Sequence, residues 1–366
     1  MPQKNDTLRK ADRNQNDEFY TQFEDIQREI NAYLEYNPDT FRDKTVLLPC
    51  DDPEWSNFTR FFAQNFDRLG LKKLISTSYA TESKNKSGTI QLSIFDFLTD
   101  YERQSPQYDE NISPKRGKIF TLTRRNKRID INDLQWKYLE GDGDFRSEEV
   151  TRLRDEADII VTNPPFSLFR QFVAWIIEAQ KNFLIIGNQN AITYKEFFPY
   201  LKYNKAWLGV SITSGDRKFN VPDNYPLEAA TCGVDENGKK FIRVKGVRWF
   251  TNLDHGRRHQ PLPLMTMADN LKYSKHKEIK EQSYLKYDNY DAIDVPYTDA
   301  IPSDYDGVMG VPITFLDKYC PEQFDIIDGI GRYSVLNNEE TRREGKYLSM
   351  VNGEAKFFRV IIKRKV

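Results

Sequence analysis

The chain has 366 residues, 39% of them hydrophobic and 13% aromatic, with 54 Lys and Arg against 55 Asp and Glu. That much apolar material builds a core of ordinary density and excludes wholesale disorder, and the length suits one large domain or two smaller ones. No apolar run approaches the roughly 18–20 residues that span a bilayer, and the opening MPQKNDTLRKADRN has no hydrophobic signal segment, so a soluble, cytoplasmic protein is expected.

Residues 1–16 are polar and read as a flexible arm. Phe23, Ile26, Ile30, Tyr33 and Leu34 then recur at helical spacing, and the helix should stop near Asn37-Pro38. VLLP at 46–49 is a short buried strand. It is followed by CDDP and by a helix whose Phe58, Phe61, Phe62, Phe66 and Leu69 share a face, with Asp52 as N-cap, Pro53 at the first turn and Gly70 as the stop. KLISTSY at 73–79 is the second strand. From about 80 to 138 the rhythm breaks into polar, turn-forming sequence that reads as an insertion. Within it, positions 115–128 (KRGKIFTLTRRNKR) carry seven basic and no acidic residues.

A helix near 147–156 leads into the strand DIIVTNPPF at 158–166. Ser167 is expected to cap the next helix, with Phe169, Phe172, Val173, Ile176 and Ile177 as its apolar stripe. FLIIG at 183–187 is a further buried strand, and 193–202 reads as helix. Apolar strands alternating with amphipathic helices imply an α/β fold with a mostly parallel sheet covered on both faces. After about 254, Tyr, Asp, Pro and Gly-rich sequence reads as a smaller, irregular region. Cys50, Cys232 and Cys320 are odd in number and widely spaced, which disfavours a disulfide framework or a zinc site.

The tetrapeptide Asn163-Pro164-Pro165-Phe166 follows an apolar strand directly, and ligands of open α/β sheets bind beyond the carboxyl ends of the strands. At average composition such a tetrapeptide arises by chance in roughly one chain of this length in several hundred. Its chemistry suits an exocyclic purine amine, a poor nucleophile because its lone pair is delocalised into the ring. Two acceptors aimed at its N–H groups favour the tetrahedral nitrogen of the transition state. Asn163 offers a side-chain carbonyl. Pro164 offers a backbone carbonyl restricted by its own ring and by Pro165, and Phe166 offers a stacking face. A base within a duplex reaches such a pocket only when flipped out.

These residues belong to a wider pattern. DEFYTQ at 17–22, CDDPEWSNF at 50–58, LGLKKLI at 69–75, GDGDFRS at 141–147, DIIVTNPPFSLF at 158–169, WFTNLDH at 249–255 and YDGVMGVPITFLDKY at 305–319 span nearly the whole chain. With them the sequence resembles the amino-methyltransferases that use S-adenosylmethionine. Over most of its length it is similar to the EcoRI-type adenine-specific DNA methyltransferases of restriction-modification systems, in the gamma order of motifs. The resemblance implies a Rossmann-like methyltransferase sheet in a catalytic domain over 17–254, with the basic insertion at about 80–138 and a target-recognition region over 255–366. It also implies that Phe19, Tyr20 and Thr21 lie against the methionine portion of the cofactor, with Asp51, Asp52, Asn57 and Asn163 bordering the same site and Asp144 and Phe145 at its adenine.

Two departures stand out. The first turn lacks G-x-G, which disfavours a nicotinamide-type phosphate cradle, and the second strand ends in STSY without a ribose-binding carboxylate, the nearest downstream acid being Glu82. For double-stranded DNA, Arg124, Arg125, Lys127 and Arg128 are candidate phosphate contacts, Phe219 a second aromatic against the flipped base, and Arg257 and Arg258 contacts to backbone or guanine edges. His255 and His259 are four apart, but Gly256 and Pro261 argue against a helical metal site. The activity expected is methyl transfer from S-adenosylmethionine to adenine N6, by a monomer working alongside a restriction endonuclease. The rivals are an amino-methyltransferase of RNA or protein glutamine and an inactive DNA-binding relative.

Overall fold

The computed structural model describes residues 21–80, 105–124, 135–213, 216–221, 232–236, 238–330, 342–343, 346–347 and 349–365. The chain divides into two compact units: Met1–Asn188 with Ser214–Leu253, and Gln189–Thr213 with Asp254–Val366. Between Leu253 and Asp254 the chain passes from the first unit to the second, and the stretch 189–213 belongs with the second.

In the first unit, α1 (Phe23–Tyr36) buries Ile26, Ile30 and Tyr33 and ends where Asn37, preceding Pro38, turns extended. The strands β1 (Thr45–Leu48), β2 (Lys73–Thr77), β3 (Lys118–Thr123), β4 (Lys137–Tyr138), β5 (Ile159–Thr162) and β6 (Asn182–Asn188) share one sheet. β1 and β5 are buried at every position, as expected of strands covered on both faces. Their order is β4-β3-β2-β1-β5-β6, with β2, β1, β5 and β6 mutually parallel. The basic insertion contributes β3, which pairs antiparallel with β2, and β4 beyond it.

α2 (Asn57–Gln64) packs on β2, α3 (Glu148–Glu156) on β1 and α4 (Phe169–Glu178) on β6. Phe169 lies over Gly187, where any Cβ would come within 2.2 Å of its ring. Two local details, at Asp52 and at Ser167, differ from the sequence reading, and one, at Gly70, agrees. α2 begins after Ser56, whose hydroxyl accepts from the Phe58 N–H; Asp52 instead closes a tight turn, accepting from the backbone N–H of Glu54 at 2.8 Å and of Trp55 at 3.3 Å. Ser167 lies inside a 3-10 turn, Phe166–Leu168, and does not cap α4. Gly70, the expected stop, ends a short helical turn at φ +65°.

The strands β7 (Asp216–Asn220), β8 (Cys232–Val234) and β9 (Lys240–Lys245) form a small antiparallel sheet in the order β7-β9-β8. β10 (Val247–Thr251) returns to the main sheet antiparallel to β6, and its Trp249 meets Phe58 edge-on at 5.9 Å.

The second unit is more regular than its composition suggests. The strands β11 (Ile293–Asp294), β12 (Val308–Pro312), β13 (Phe324–Ile330) and β14 (Arg359–Arg364) form a sheet in the order β11-β12-β14-β13. Met309, Val311, Phe324, Val360, Ile361 and Ile362 are its buried core. In place of the irregular region expected after 254 there is a sheet, in which Gly310 admits the Tyr287 ring where a Cβ would come within 2.1 Å of its hydroxyl, and Gly329 admits Phe198 and Phe358.

Candidate active site

β1 has β2 on one side and β5 on the other, so successive crossovers diverge from it; a crevice forms at such a switch point beyond the carboxyl ends of the strands. Asp51 stands at that end of β1 and Asn163 at that end of β5. The two strand ends are joined directly. The Thr162 hydroxyl donates to Asp51 Oδ2 at 2.5 Å, the Ser56 hydroxyl donates to Asp51 Oδ1 at 2.7 Å, and the Asp51 N–H donates to the Thr77 carbonyl at 3.0 Å. Asp51 is only 5% exposed, and these two hydroxyls fix its carboxylate in place.

Around this carboxylate the structure gathers most of the described candidates for the cofactor site. The Asn57 amide donates to the Thr21 carbonyl at 2.7 Å, tying the chain before α1 to the start of α2. The Thr21 hydroxyl is buried and finds no hydrogen-bond partner among the described residues. Phe19 and Tyr20 lie outside the described residues. Asp52 keeps one oxygen in its turn and places the other 3.2 Å from Lys118 Nζ.

The Gly141–Phe145 segment crosses the end of β2. Gly143 adopts φ +81°, and a Cβ there would come within 2.1 Å of the Ser78 carbonyl oxygen; Gly117, just before β3, is similarly confined, a Cβ there coming within 2.3 Å of the same oxygen. The Ala80 N–H donates to the Asp142 carbonyl at 2.7 Å. Asp144 accepts from Arg146 Nε and Nη2 at 2.9 and 2.6 Å. Burial alone would raise its carboxyl, but those hydrogen bonds and the guanidinium charge hold it below the usual range. Phe145 is buried, edge-on to Phe172 at 5.1 Å and to Trp175 at 5.5 Å.

Asn163 and Pro164 are buried, Pro165 is half-buried, and Phe166 is 9% exposed. The Leu168 N–H donates to the Pro165 carbonyl at 3.0 Å, closing the turn that carries Phe166 back toward α4. The strand thus exits through buried Asn163 and Pro164 into a hydrogen-bonded turn that begins the short 3-10 segment Phe166–Leu168.

The candidate DNA contacts divide. Arg124 is about half exposed, ion-paired with Asp43 at 2.6 Å and hydrogen-bonded to the Gly70 carbonyl; Arg125, Lys127 and Arg128 lie outside the described residues. Phe219 is 2% exposed on β7, opposite Ile242 of β9. In the second unit, Arg257 donates to the Val210 carbonyl at 2.8 Å. Arg258 is 7% exposed, stacked 3.5 Å from the Trp207 ring centroid, ion-paired with Asp254 at 3.0 Å and bonded to Asn204. Both Phe219 and Arg258 therefore serve the interior of their own unit. His255 Nε2 lies 3.0 Å from the Leu208 carbonyl, and burial pushes its ring down to about 4.

Sequence reasoning missed Thr162 and Ser56, whose hydroxyls hold Asp51, and it read Lys118 only as part of a basic run. The alternation in KIFTLT contains the missing signal, because period two puts Lys118 on the same face as Phe120 and Leu122, and all three are buried.

A parallel-sheet switch point bearing an acidic turn on one strand and Asn-Pro-Pro-Phe on the next defines an α/β methyltransferase. The family model of the adenine-specific methyltransferase EcoRI matches residues 7–365, and the chain belongs to that family. It is 43% identical over 362 residues, 99% of this chain and 97% of the relative, to Type II methyltransferase M.EcoRI of Escherichia coli. It is also 34% identical over 363 residues to Type II methyltransferase M.MgeORF184P of Mycoplasma genitalium, covering 97% of this chain and 98% of that one. M.MpnI of Mycoplasma pneumoniae is likewise 34% identical, over 97% of each chain. No solved structure matches it.

Proposed function

We propose that the protein transfers a methyl group from S-adenosylmethionine to N6 of an adenine flipped out of a specific duplex DNA sequence. The observation that carries this reading is the placement of Asn163-Pro164-Pro165-Phe166 at the end of β5, one residue after the Thr162 hydroxyl that grips Asp51. Donor and acceptor sites are thereby coupled across two neighbouring strands.

The residues at the end of β1 fit such a donor. The turn after β1 carries Asp51, held by the Thr162 hydroxyl, and Asp52 and Glu54, which share the ammonium of Lys118, an acidic lining suited to a ligand carrying sulfonium and ammonium groups. The buried Thr21 hydroxyl is a further polar group with no protein partner among the described residues. When bound, S-adenosylmethionine supplies an electrophilic methyl group on sulfur. Thr21, Asp51, Asp52 and Asn57 would hold its amino-acid portion together with Phe19 and Tyr20, and Asp144 and Phe145 would border its adenine.

Asn163 and Pro164 accept the two N–H groups of the target amine and orient its lone pair, while Phe166 stacks on the base. Stacking of about 1–3 kcal/mol offsets much of the few kcal/mol that base flipping costs. As the N–C bond forms, the methyl–sulfur bond would break and release the donor as its neutral thioether; the nitrogen, left cationic, then loses a proton to solvent, so no strong base is needed. DNA phosphates are met by the basic run Arg124, Arg125, Lys127 and Arg128, with Arg257 at the second unit, rather than by the buried Phe219 and Arg258. The protein acts as a cytoplasmic monomer in company with a restriction endonuclease of the same target sequence.

Incubation with S-adenosylmethionine and genomic DNA, followed by sequencing that detects modified adenines, tests substrate and atom together. Asn163→Ala should lower the methylation rate by about 10²–10³-fold, the scale of losing one transition-state hydrogen bond, with DNA affinity kept. A near-normal rate in that variant refutes the assignment. Methylation of RNA or of a glutamine peptide in place of DNA refutes the substrate.

A further inference from the structure

We propose that Lys118 is a positioning residue of the methyl-donor site, so that the insertion completes that site from within the sheet. The inference rests on the reading that the donor binds at the end of β1. Lys118 opens β3, where its carbonyl accepts from the Ser78 N–H at 3.1 Å, fixing its backbone to the exit of β2. Its side chain is 6% exposed and runs toward the turn after β1, where Nζ meets Glu54 Oε2 at 2.7 Å and Asp52 Oδ2 at 3.2 Å, 4.9 Å from the Trp136 ring centroid.

The remaining oxygens of both carboxylates are also committed. Asp52 Oδ1 accepts from the backbone N–H groups of Glu54 and Trp55, and Glu54 Oε1 accepts from the Ser105 hydroxyl at 2.7 Å. Ser105 belongs to the same insertion.

The three carboxylates of this turn therefore do different work. Asp51 is oriented by the hydroxyls of Thr162 and Ser56, which join it to β5 and to the start of α2. Asp52 and Glu54 are drawn onto one ammonium, which offsets their mutual repulsion and fixes where each stands beside the donor. A donor pocket built this way keeps its shape before the ligand arrives, and preorganisation of that kind appears directly in affinity. Lys118 touches neither reacting atom; it acts through Asp52 and Glu54.

The test uses the full chain and three variants: Lys118→Met, Lys118→Arg, and Lys118→Met combined with Glu54→Gln. The double variant removes one of the two carboxylate charges that the methionine leaves uncompensated, and so keeps the test available if the single variant does not fold. Titration calorimetry with S-adenosylmethionine in the absence of DNA is set beside fluorescence anisotropy with duplex DNA, and thermal melting verifies folding. Lys118→Met and the double variant should weaken S-adenosylmethionine binding by about tenfold or more, with DNA affinity changed by less than about twofold, and Lys118→Arg should recover most of the loss. A folded methionine variant, single or double, that binds S-adenosylmethionine within about threefold of the unmutated chain overturns the proposal, as does a parallel fall in both affinities. If the unmutated chain does not bind S-adenosylmethionine at all, the donor reading fails and takes this proposal with it; if it binds and the variants bind equally, this proposal alone fails.

Discussion

Replacing Thr162 by Val keeps the shape of the side chain and removes only the hydroxyl that donates to Asp51 Oδ2. Thr162 is fully buried and Asp51 nearly so, so no water takes the place of that donor without rearrangement. A hydrogen bond to a charged group contributes about 1.5–3 kcal/mol. The first unit has about 230 residues, and for that size each kcal/mol shifts the melting temperature by roughly 2–4 °C, so Thr162→Val should melt about 3–12 °C lower. Thr162→Ser keeps the hydroxyl and loses one buried methyl, at about 1 kcal/mol, so it should melt only about 2–4 °C lower. Differential scanning calorimetry of the three proteins measures the order. Methylation by Thr162→Val should also slow, because Thr162 precedes Asn163. A valine variant as stable as the serine variant would refute the view that this hydroxyl joins the two halves of the site.

Two further outcomes concern charged side chains. His259 lies with Nδ1 2.8 Å from Glu322 and Nε2 2.9 Å from Asp254; burial alone would lower its pKa, but the two carboxylates raise it above 6.5. A raised histidine stabilises fully below its unfolded pKa and loses that contribution as pH rises through its folded value. The stability of the native protein should therefore fall as pH climbs above about 6.5, and thermal melts of His259→Gln across pH 6 to 8 should lose that slope. Neutralising Arg124, Arg125, Lys127 and Arg128 together should weaken binding to every duplex and reduce the slope of log K against log salt by roughly 0.9 for each phosphate no longer neutralised, read by anisotropy at several salt concentrations. An unchanged slope sinks the phosphate role.

Much of the first unit's sheet was legible because its signals are local. The unbroken apolar runs of β1 and β5, and a rare tetrapeptide directly after one of them, need no knowledge of distant residues. The parts that were not legible depend on pairings far apart in sequence. Arg258 looks like a surface cation until Trp207, 51 positions earlier, is found stacked on it. Phe219 looks like a loop aromatic until β9 pairs with its strand. Asp52 precedes a proline and resembles a helix cap, yet the helix waits for Ser56 because Asp52 is already closing its own turn. In the second unit, glycines that read as turn formers are strand residues with aromatic rings lying across them, which conceals the alternation by which a sheet is recognised.

The antiparallel attachment of β3 limits how the chain can be shortened. Excising the polar stretch between β2 and α3, which looks dispensable by composition, would strip β2 of its neighbour and leave an unpaired row of backbone amides and carbonyls along a hydrophobic border, an invitation to self-association. A miniaturised version of this enzyme has to retain that ribbon.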